Sequence, residues 1–414
     1  MDNFTIGVDL GGTNLRIAAV DDKGKILDSL DTLTQVSQGR EAVVSRLTDA
    51  VRFISHKFSS THKFSGVGVG LPGIIDLERG TLHSAANFPG WNDYPAREDL
   101  EARLGATVIL ENDANCAALG EKWLGAGREV NDLCMITLGT GVGGGFVVNG
   151  KPWHGVMGMA GELGHMTVIP EGNACPCGNH GCLEQYASAG AIHRMASEAA
   201  DRGSPCLAAA RAKDAELSAR SVHACASAGD PAAIEIFRAA GKALGIALAN
   251  LINAFNLPMY IIGGGVAKAW DQFSPAMFHE LHERSIVFRA GEQEKRSHRS
   301  TEVTPALLQD RAGILGAARL PMIICGTKCR NSMAGWKLPT VHTCNAPGFQ
   351  TARNFFRRTG LPVRFHFGTV PPGTNKFLFV LSKFLFNMIL TIHIDSARIP
   401  AGVYENVSIN TGLV

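Results

Sequence analysis

The sequence predicts a two-domain α/β protein, and three observations carry that expectation. Its 414 residues are enough for two sizeable cores, and 45% apolar with 18% charged residues is the balance of a soluble globular chain. Up to about residue 320, apolar strands alternate with segments of helical apolar spacing. Three glycine-rich turns punctuate that stretch, each directly after an apolar strand.

Taken in order, TIGVD (5–9) reads as a buried strand, GGTN as a turn, LRIAAVDD as the returning strand and ILDSLDTLT as a third. REAVVSRLTDAVRFISHKF has helical spacing and leads into the strand GVGVGLPG. VILENDAN ends a strand and opens the helix AALGEKWLGAG. LCMITLGTGVGGGFVVNGKPW then repeats strand, glycine turn and strand about 130 residues after the first, which suggests a duplicated unit. A helix from Pro231 to about Leu257 leads into the strand MYIIGGGVA, and LLQDRAGILGAARL (307–320) reads as a closing helix. The expected domains are residues 1–120 and 121–320, the second with a metal loop at 161–184; residues 321–414 form a tail of different composition.

The charge divides at the same place. Residues 321–414 hold ten Lys or Arg against Asp395 and Glu405, a net +8, whereas residues 1–320 carry −6. The overall +2 argues against a dedicated nucleic-acid surface. MDNFTIGVDL has neither a basic n-region nor an apolar run of signal-peptide length. Ten dispersed cysteines suggest reduced thiols rather than a disulfide framework. The run FLFVLSKFLFNMILTI (377–392) contains Lys383 and Asn387 and falls about one turn short of a membrane span. The expectation is a cytoplasmic protein with no membrane partner.

The chemistry concentrates in the turns. In DLGGTNLR, Gly11 and Gly12 let backbone N–H groups approach a phosphate, Thr13 and Asn14 add polar side chains, and Asp9 stands where it can orient a hydrated Mg²⁺. A tight β-turn has the same local sequence. LGTGVGGG (138–145), with Thr140 and Gly141, is richer in glycine than a hairpin requires, and the two turns together read as jaws around a polyphosphate. Gly263, Gly264 and Gly265 of IIGGGVA allow a nucleoside close to the backbone, or simply open a helix. ENDAN puts Asp113 just past a strand end, where a carboxylate can take the proton of an attacking alcohol while Asn112 holds that alcohol. A helix N-cap is the competing reading.

CPCGNHGC (175–182) supplies Cys175, Cys177 and Cys182 with glycines for sharp turns; with one histidine they make a closed Cys₃His set suited to structural Zn²⁺. His165 and His180 both compete for the fourth position. Glu162, His165 and Glu184 cluster around this loop, and paired carboxylates are what a polyhydroxylated ligand requires.

DLGGTN, ENDAN, LGTGVGGG, GELGH, CPCGNHGCLE and IIGGGVA, in this order over residues 4–320, closely resemble the ROK family of repressors and sugar kinases. The resemblance implies the two-domain actin-like ATPase (ribonuclease H-like) fold, with ATP and sugar in the cleft between domains, and a homodimer. Position by position it makes Asp113 the general base. Asn87 (in SAANFPGW), Asn112, Glu162, His165 and Glu184 become sugar ligands, and Asp9, Gly11, Gly12, Thr13, Thr140 and Gly141 the phosphate turns. It also makes His165 the zinc histidine. The expected activity is ATP-dependent 6-phosphorylation of glucose. Another hexose (fructose, mannose, allose or an N-acetylhexosamine) and a catalytically silent sugar-sensing regulator are the alternatives. A repressor's helix-turn-helix has no expected place before a glycine turn that starts at residue 9.

Overall fold

Two five-stranded sheets of the same plan organise the protein. The computed structural model describes residues 2–85, 88–213, 216–293 and 300–333, together with three short strands between 365 and 388. Asn87 lies outside the described residues.

The first half runs β1 (Asn3–Leu10), β2 (Asn14–Asp21), β3 (Ile26–Leu33), α1 (Arg40–Phe58), β4 (Lys63–Leu71), β5 (Ile74–Asp76), β6 (Thr81–Ser84), α2 (Ala96–Leu104), β7 (Val108–Asn112) and α3 (Asp113–Leu124). Its sheet order is β3-β2-β1-β4-β7, antiparallel from β3 to β1 and parallel from β1 to β7. The strand β1 buries Phe4, Ile6, Val8 and Leu10 at every second position. Against them α1 presents Val43, Val44, Leu47, Val51 and Ile54 at helical spacing.

The second half runs β8 (Leu133–Leu138), β9 (Val142–Val148), β10 (Lys151–Pro152), α4 (Glu184–Ala187), α5 (Ala189–Asp201), α6 (Pro205–Lys213), α7 (Ala219–Ser227), α8 (Pro231–Phe255), β11 (Met259–Gly263), α9 (Trp270–Arg284), α10 (Ile286–Gln293), β12 (Glu302–Pro305) and α11 (Ala312–Met333). Its order, β10-β9-β8-β11-β12, repeats the first, again with three antiparallel strands followed by parallel ones. This is the actin-like plan, and the glycine-tipped hairpins β1–β2 and β8–β9 occupy equivalent places in it. The long helix α8 starts cleanly because the Asp230 side chain accepts the Ala233 N–H and Pro231 takes the first turn; Asn256, left-handed at φ 45°, ends it.

The division read from the sequence at residues 120 and 320 falls inside α3 and α11. The closing helix returns to the first sheet: Thr5 Oγ1 donates to the Ala318 carbonyl at 2.8 Å, and Ile314, Leu315 and Ala318 pack on Ala18 and Val20. Two glycines make that approach possible. A Cβ at Gly68 would lie 1.8 Å from the Ala317 carbonyl oxygen, and one at Gly316 would lie 1.7 Å from the Cys116 carbonyl oxygen on α3.

One expectation is corrected. Cys206 on α6 and Cys225 on α7 form a disulfide, because the α6–α7 hairpin brings their Cα atoms to 5.8 Å across a separation of 19 residues. Cys116, Cys134, Cys175, Cys177 and Cys182 are free thiols. No helix among the described residues is long and apolar enough to cross a membrane. The second compact unit, Trp336–Val414, contains an antiparallel sheet of β13 (Phe365–Phe367), β14 (Phe379–Lys383) and β15 (Phe386–Met388). The last two of these strands account for much of the apolar run at 377–392.

Replacing Gly316 with Ala should force α11 off α3, lowering unfolding stability by about 1–3 kcal/mol, the usual cost of overpacking a close contact. Urea unfolding measures it, and an unchanged midpoint would contradict the packing described.

Candidate active site

The carboxyl ends of β1, β7 and β8 border one cleft, the usual place for ligands in such sheets. At the first, the β1–β2 turn is closed by Gly11 N–H donating to the Asn14 carbonyl at 2.9 Å. Thr34 braces it through its own N–H to Thr13 O and its hydroxyl to Gly11 O. Asp9 stands opposite Arg16 across the ladder, with the guanidinium 3.5 Å away. Burial raises the Asp9 carboxyl above the ordinary carboxylate range, and Arg16 opposes that rise.

The β8–β9 turn is held from outside. Glu184, at the start of α4, accepts the Val142 N–H at 2.9 Å through Oε2. A Cβ at Gly141 would lie 2.4 Å from that same oxygen, so a larger residue here would displace the Glu184 carboxylate. The second turn is thereby tied to a residue expected to hold sugar.

Of the two readings of ENDAN, the helix cap is present, and it leaves the other possible. Asn112 is the N-cap of α3, its Oδ1 accepting the N–H groups of Ala114 at 2.9 Å and Asn115 at 3.2 Å, which leaves its amide NH₂ for a ligand. Asp113, the first residue of the helix, is half-buried at the cleft floor. Its carboxyl is pushed up to about 7, chiefly by burial and next by Asp9, while the Ala114 N–H opposes the shift. A carboxyl titrating near neutrality is suited to general-base work.

Glu162 precedes a turn of 3₁₀ helix, Leu163–His165, and its Oε2 lies 3.9 Å from His165 Nε2. The other ring nitrogen, Nδ1, lies 3.7 Å from Cys175 Sγ; Cys177 and Cys182 sulfurs are also 3.7 Å apart. The ligand atoms of His165, Cys175, Cys177 and Cys182 all fall within 4.8 Å of one another. Tetrahedral Zn²⁺ with sulfurs at 2.3 Å needs separations of about 3.8 Å, so the donor set fits the ion in chemistry and in size. His180 is exposed and outside the cluster, in a bridge with Ala174. Of the two competing histidines, geometry selects His165.

A cavity of about 590 Å³ collects Gly11, Gly12, Thr13, Asn112, Asp113, Thr140, Gly141, Glu162, His165 and Glu184. Asp9 and Asn14 do not line it. Gly139 and Thr140 also border a second cavity, of about 420 Å³, formed with Gly265, Ser218, Arg220, His223 and Lys268. Gly263 and Gly264 line a smaller one of about 70 Å³ beside it. The second glycine turn therefore stands between a polar cleft and a neighbouring recess.

Sequence reading missed several groups. Glu111 is buried and makes a 2.7 Å bond with His154 Nε2 across 43 residues; that hydrogen bond raises the imidazole above its ordinary value, against burial. Arg220, His223 and Lys268 are isolated polar residues in helical segments, with no motif to mark them.

Known proteins agree with this geometry. The chain is 43% identical to a glucokinase of Halalkalibacterium halodurans over 273 residues, 65% of this chain and 82% of that one. It is 39% identical to a glucokinase of Thermotoga maritima, over 76% of this chain and 96% of that one. The solved structure of a ROK family glucokinase from Streptomyces griseus, in complex with glucose and AMPPNP, superposes with a TM-score of 0.66 at 34% identity, covering 77% of this chain and 99% of that one. The ROK family model matches residues 5–322, and with the cleft, the glycine turns and the cysteine loop in their expected places, the chain belongs to the ROK family.

Proposed function

We propose that this chain is an ATP-dependent hexokinase that transfers the γ-phosphoryl group of MgATP to the 6-hydroxyl of glucose. The observation that carries this reading is the composition of the 590 Å³ cavity, whose lining combines two glycine turns, the carboxylates and imidazole of Glu162, Glu184 and His165, and Asp113. The glucokinase relatives supply the sugar.

In this reading glucose lies against Asn112, Glu162, His165 and Glu184, with Asn87 as a further ligand. The N–H groups of both glycine turns hold the phosphates, and the recess beyond Thr140 takes the nucleoside. Asp113 accepts the O6 proton as the O6–P bond forms and the bond from the γ-phosphorus to the ADP oxygen breaks. Asp9 would orient the hydrated Mg²⁺ that accompanies ATP, whose charge would offset that of the transferring phosphoryl group. His165 Nδ1, Cys175, Cys177 and Cys182 would hold a structural Zn²⁺ that would stiffen the loop, leaving His165 Nε2 for the sugar. Catalysis is mostly positioning and charge neutralisation.

A coupled ADP-release assay over a panel of hexoses tests the reading, with turnover strongest on glucose as the expected result. A faster rate on fructose, mannose, allose or an N-acetylhexosamine would reassign the substrate; silence on every sugar would leave a sugar-sensing regulator.

The pH dependence is specific. Asp113 must be ionised to accept a proton, so kcat/KM for glucose should fall about tenfold per pH unit below about 7. Asp113→Asn should lower kcat by roughly a hundredfold or more while sparing glucose affinity. The same variant should be more stable than its parent at alkaline pH. A carboxyl whose pKa is raised by folding loses stability as pH climbs from its unfolded value near 4 to its folded value near 7, and asparagine does not titrate. The gain should approach roughly 2–4 kcal/mol at pH 8 and vanish near pH 4; a pH-independent gain would contradict the assignment.

Cys177→Ser should release bound zinc and raise the glucose KM together, as metal analysis and kinetics on one preparation would reveal. Full glucose affinity in a zinc-free variant would remove the loop's proposed role.

A further inference from the structure

Between the end of β10 and Glu162 the chain runs WHGVMGMAG, in which His154 is the sole ionisable side chain. The tip of this loop has no apolar anchor, since Val156 is 93% exposed and Met157 76%. Gly155, Gly158 and Gly161 are all left-handed, with φ 66°, 76° and 103°, so local backbone preference does not hold its course either. Its base is closed by the Ala160 N–H donating to the His154 carbonyl at 3.0 Å. Its far end carries Glu162 and His165 into the cleft.

His154 fastens that base to a strand of the other sheet. Its Nε2–H donates to Glu111 Oε2 at 2.7 Å; the Glu111 side chain is 4% exposed and His154 34%. The other carboxylate oxygen of Glu111 accepts the Asn112 N–H at 2.9 Å and Asn115 Nδ2 at 3.0 Å. One buried carboxylate thus touches the backbone of Asn112, the first turn of the helix that begins with Asp113, and the loop leading to Glu162. Removing the imidazole would leave a buried oxygen without its partner and, among the described residues, the loop without its only polar side-chain tether.

We propose that the Glu111–His154 pair is a positioning device for the sugar site. It holds the ligands on the α3 turn (Asn112, Asp113) and those at the end of the loop (Glu162, His165) at a constant separation across the cleft. This inference rests on the hexokinase reading above and adds two positioning residues to it.

The test measures glucose dissociation by calorimetry, steady-state kinetics for both substrates, and zinc content, on the full chain and on His154→Ala and His154→Gln. His154→Ala should weaken glucose binding about tenfold and raise the glucose KM in parallel, while the ATP KM moves by less than about twofold and zinc stays at the parent level. His154→Gln keeps an N–H to give to Glu111 and should recover most of the loss. Unchanged glucose binding in His154→Ala would overturn the proposal, as would equal damage to both substrates' KM or failure of glutamine to rescue. If His154→Ala does not fold, Glu111→Gln carries the test: it keeps an acceptor for Asn112 and Asn115, loses the charge facing His154, and should produce the same split at about threefold. A parent that binds glucose without turnover, yet loses affinity in His154→Ala, would sink the kinase reading alone and leave the pair in place.

Discussion

The cleft depends on one constraint: carboxylates taken out of water at both ends of α3 must find partners. At the entrance Glu111 meets Asn112 N–H, Asn115 and His154. Three turns on, Glu121 is completely buried and accepts the N–H groups of Ala126, Leu307 and Leu308. The first set of bonds ties the helix to the loop that reaches the cleft, and the second ties it to the segment that starts the return of α11. A charge that must be satisfied from distant parts of the chain fixes those parts relative to one another. Asp113 sits on this braced helix, and its burial there, with the Asp9 carboxylate nearby, raises its carboxyl toward neutrality.

The duplicated plan explains where the other parts fall. Each sheet begins with three antiparallel strands and continues with parallel ones, so each offers a glycine-tipped hairpin at the carboxyl end of its first strand. Placed face to face, the two hairpins bring backbone N–H groups toward one region. If Asp113 is the base proposed above, the cost of ionising it there serves that role, since a base that is fully solvated would be a weak one.

Much of this was legible in the sequence because it is local. The alternating burial of β1, the helical spacing of α1 and α8, the glycines of both hairpins and the spacing of Cys175, Cys177 and Cys182 are properties of a few adjacent residues. What the sequence did not reveal is long-range. Nothing near Glu111 announces His154, nothing near Cys206 announces Cys225, and α11 reads as the end of the second domain although it lies on the first sheet. Spacing alone left both His165 and His180 within reach; the family resemblance favoured His165, and the observed cluster contains His165 and not His180. ENDAN was ambiguous between cap and active site for a different reason: Asn112 is a cap, and Asp113 next to it lines the cleft.

That doubling of roles runs through the whole site and accounts for its rigidity. Asn112 commits its carbonyl oxygen to the N–H groups of α3 and leaves its amide for a ligand. Glu184 gives one oxygen to the Val142 N–H and keeps the other. His165 directs Nδ1 to the cysteine cluster and Nε2 to the side of Glu162. In each case one polar atom of the side chain belongs to the fold, so the rotamer is settled before a ligand arrives and little conformational entropy is left to lose on binding. A site built this way recognises its ligand with the bonding capacity left over from folding. Substitutions in it should therefore act on affinity and on local structure together, to the degree that the two atoms of each side chain are shared.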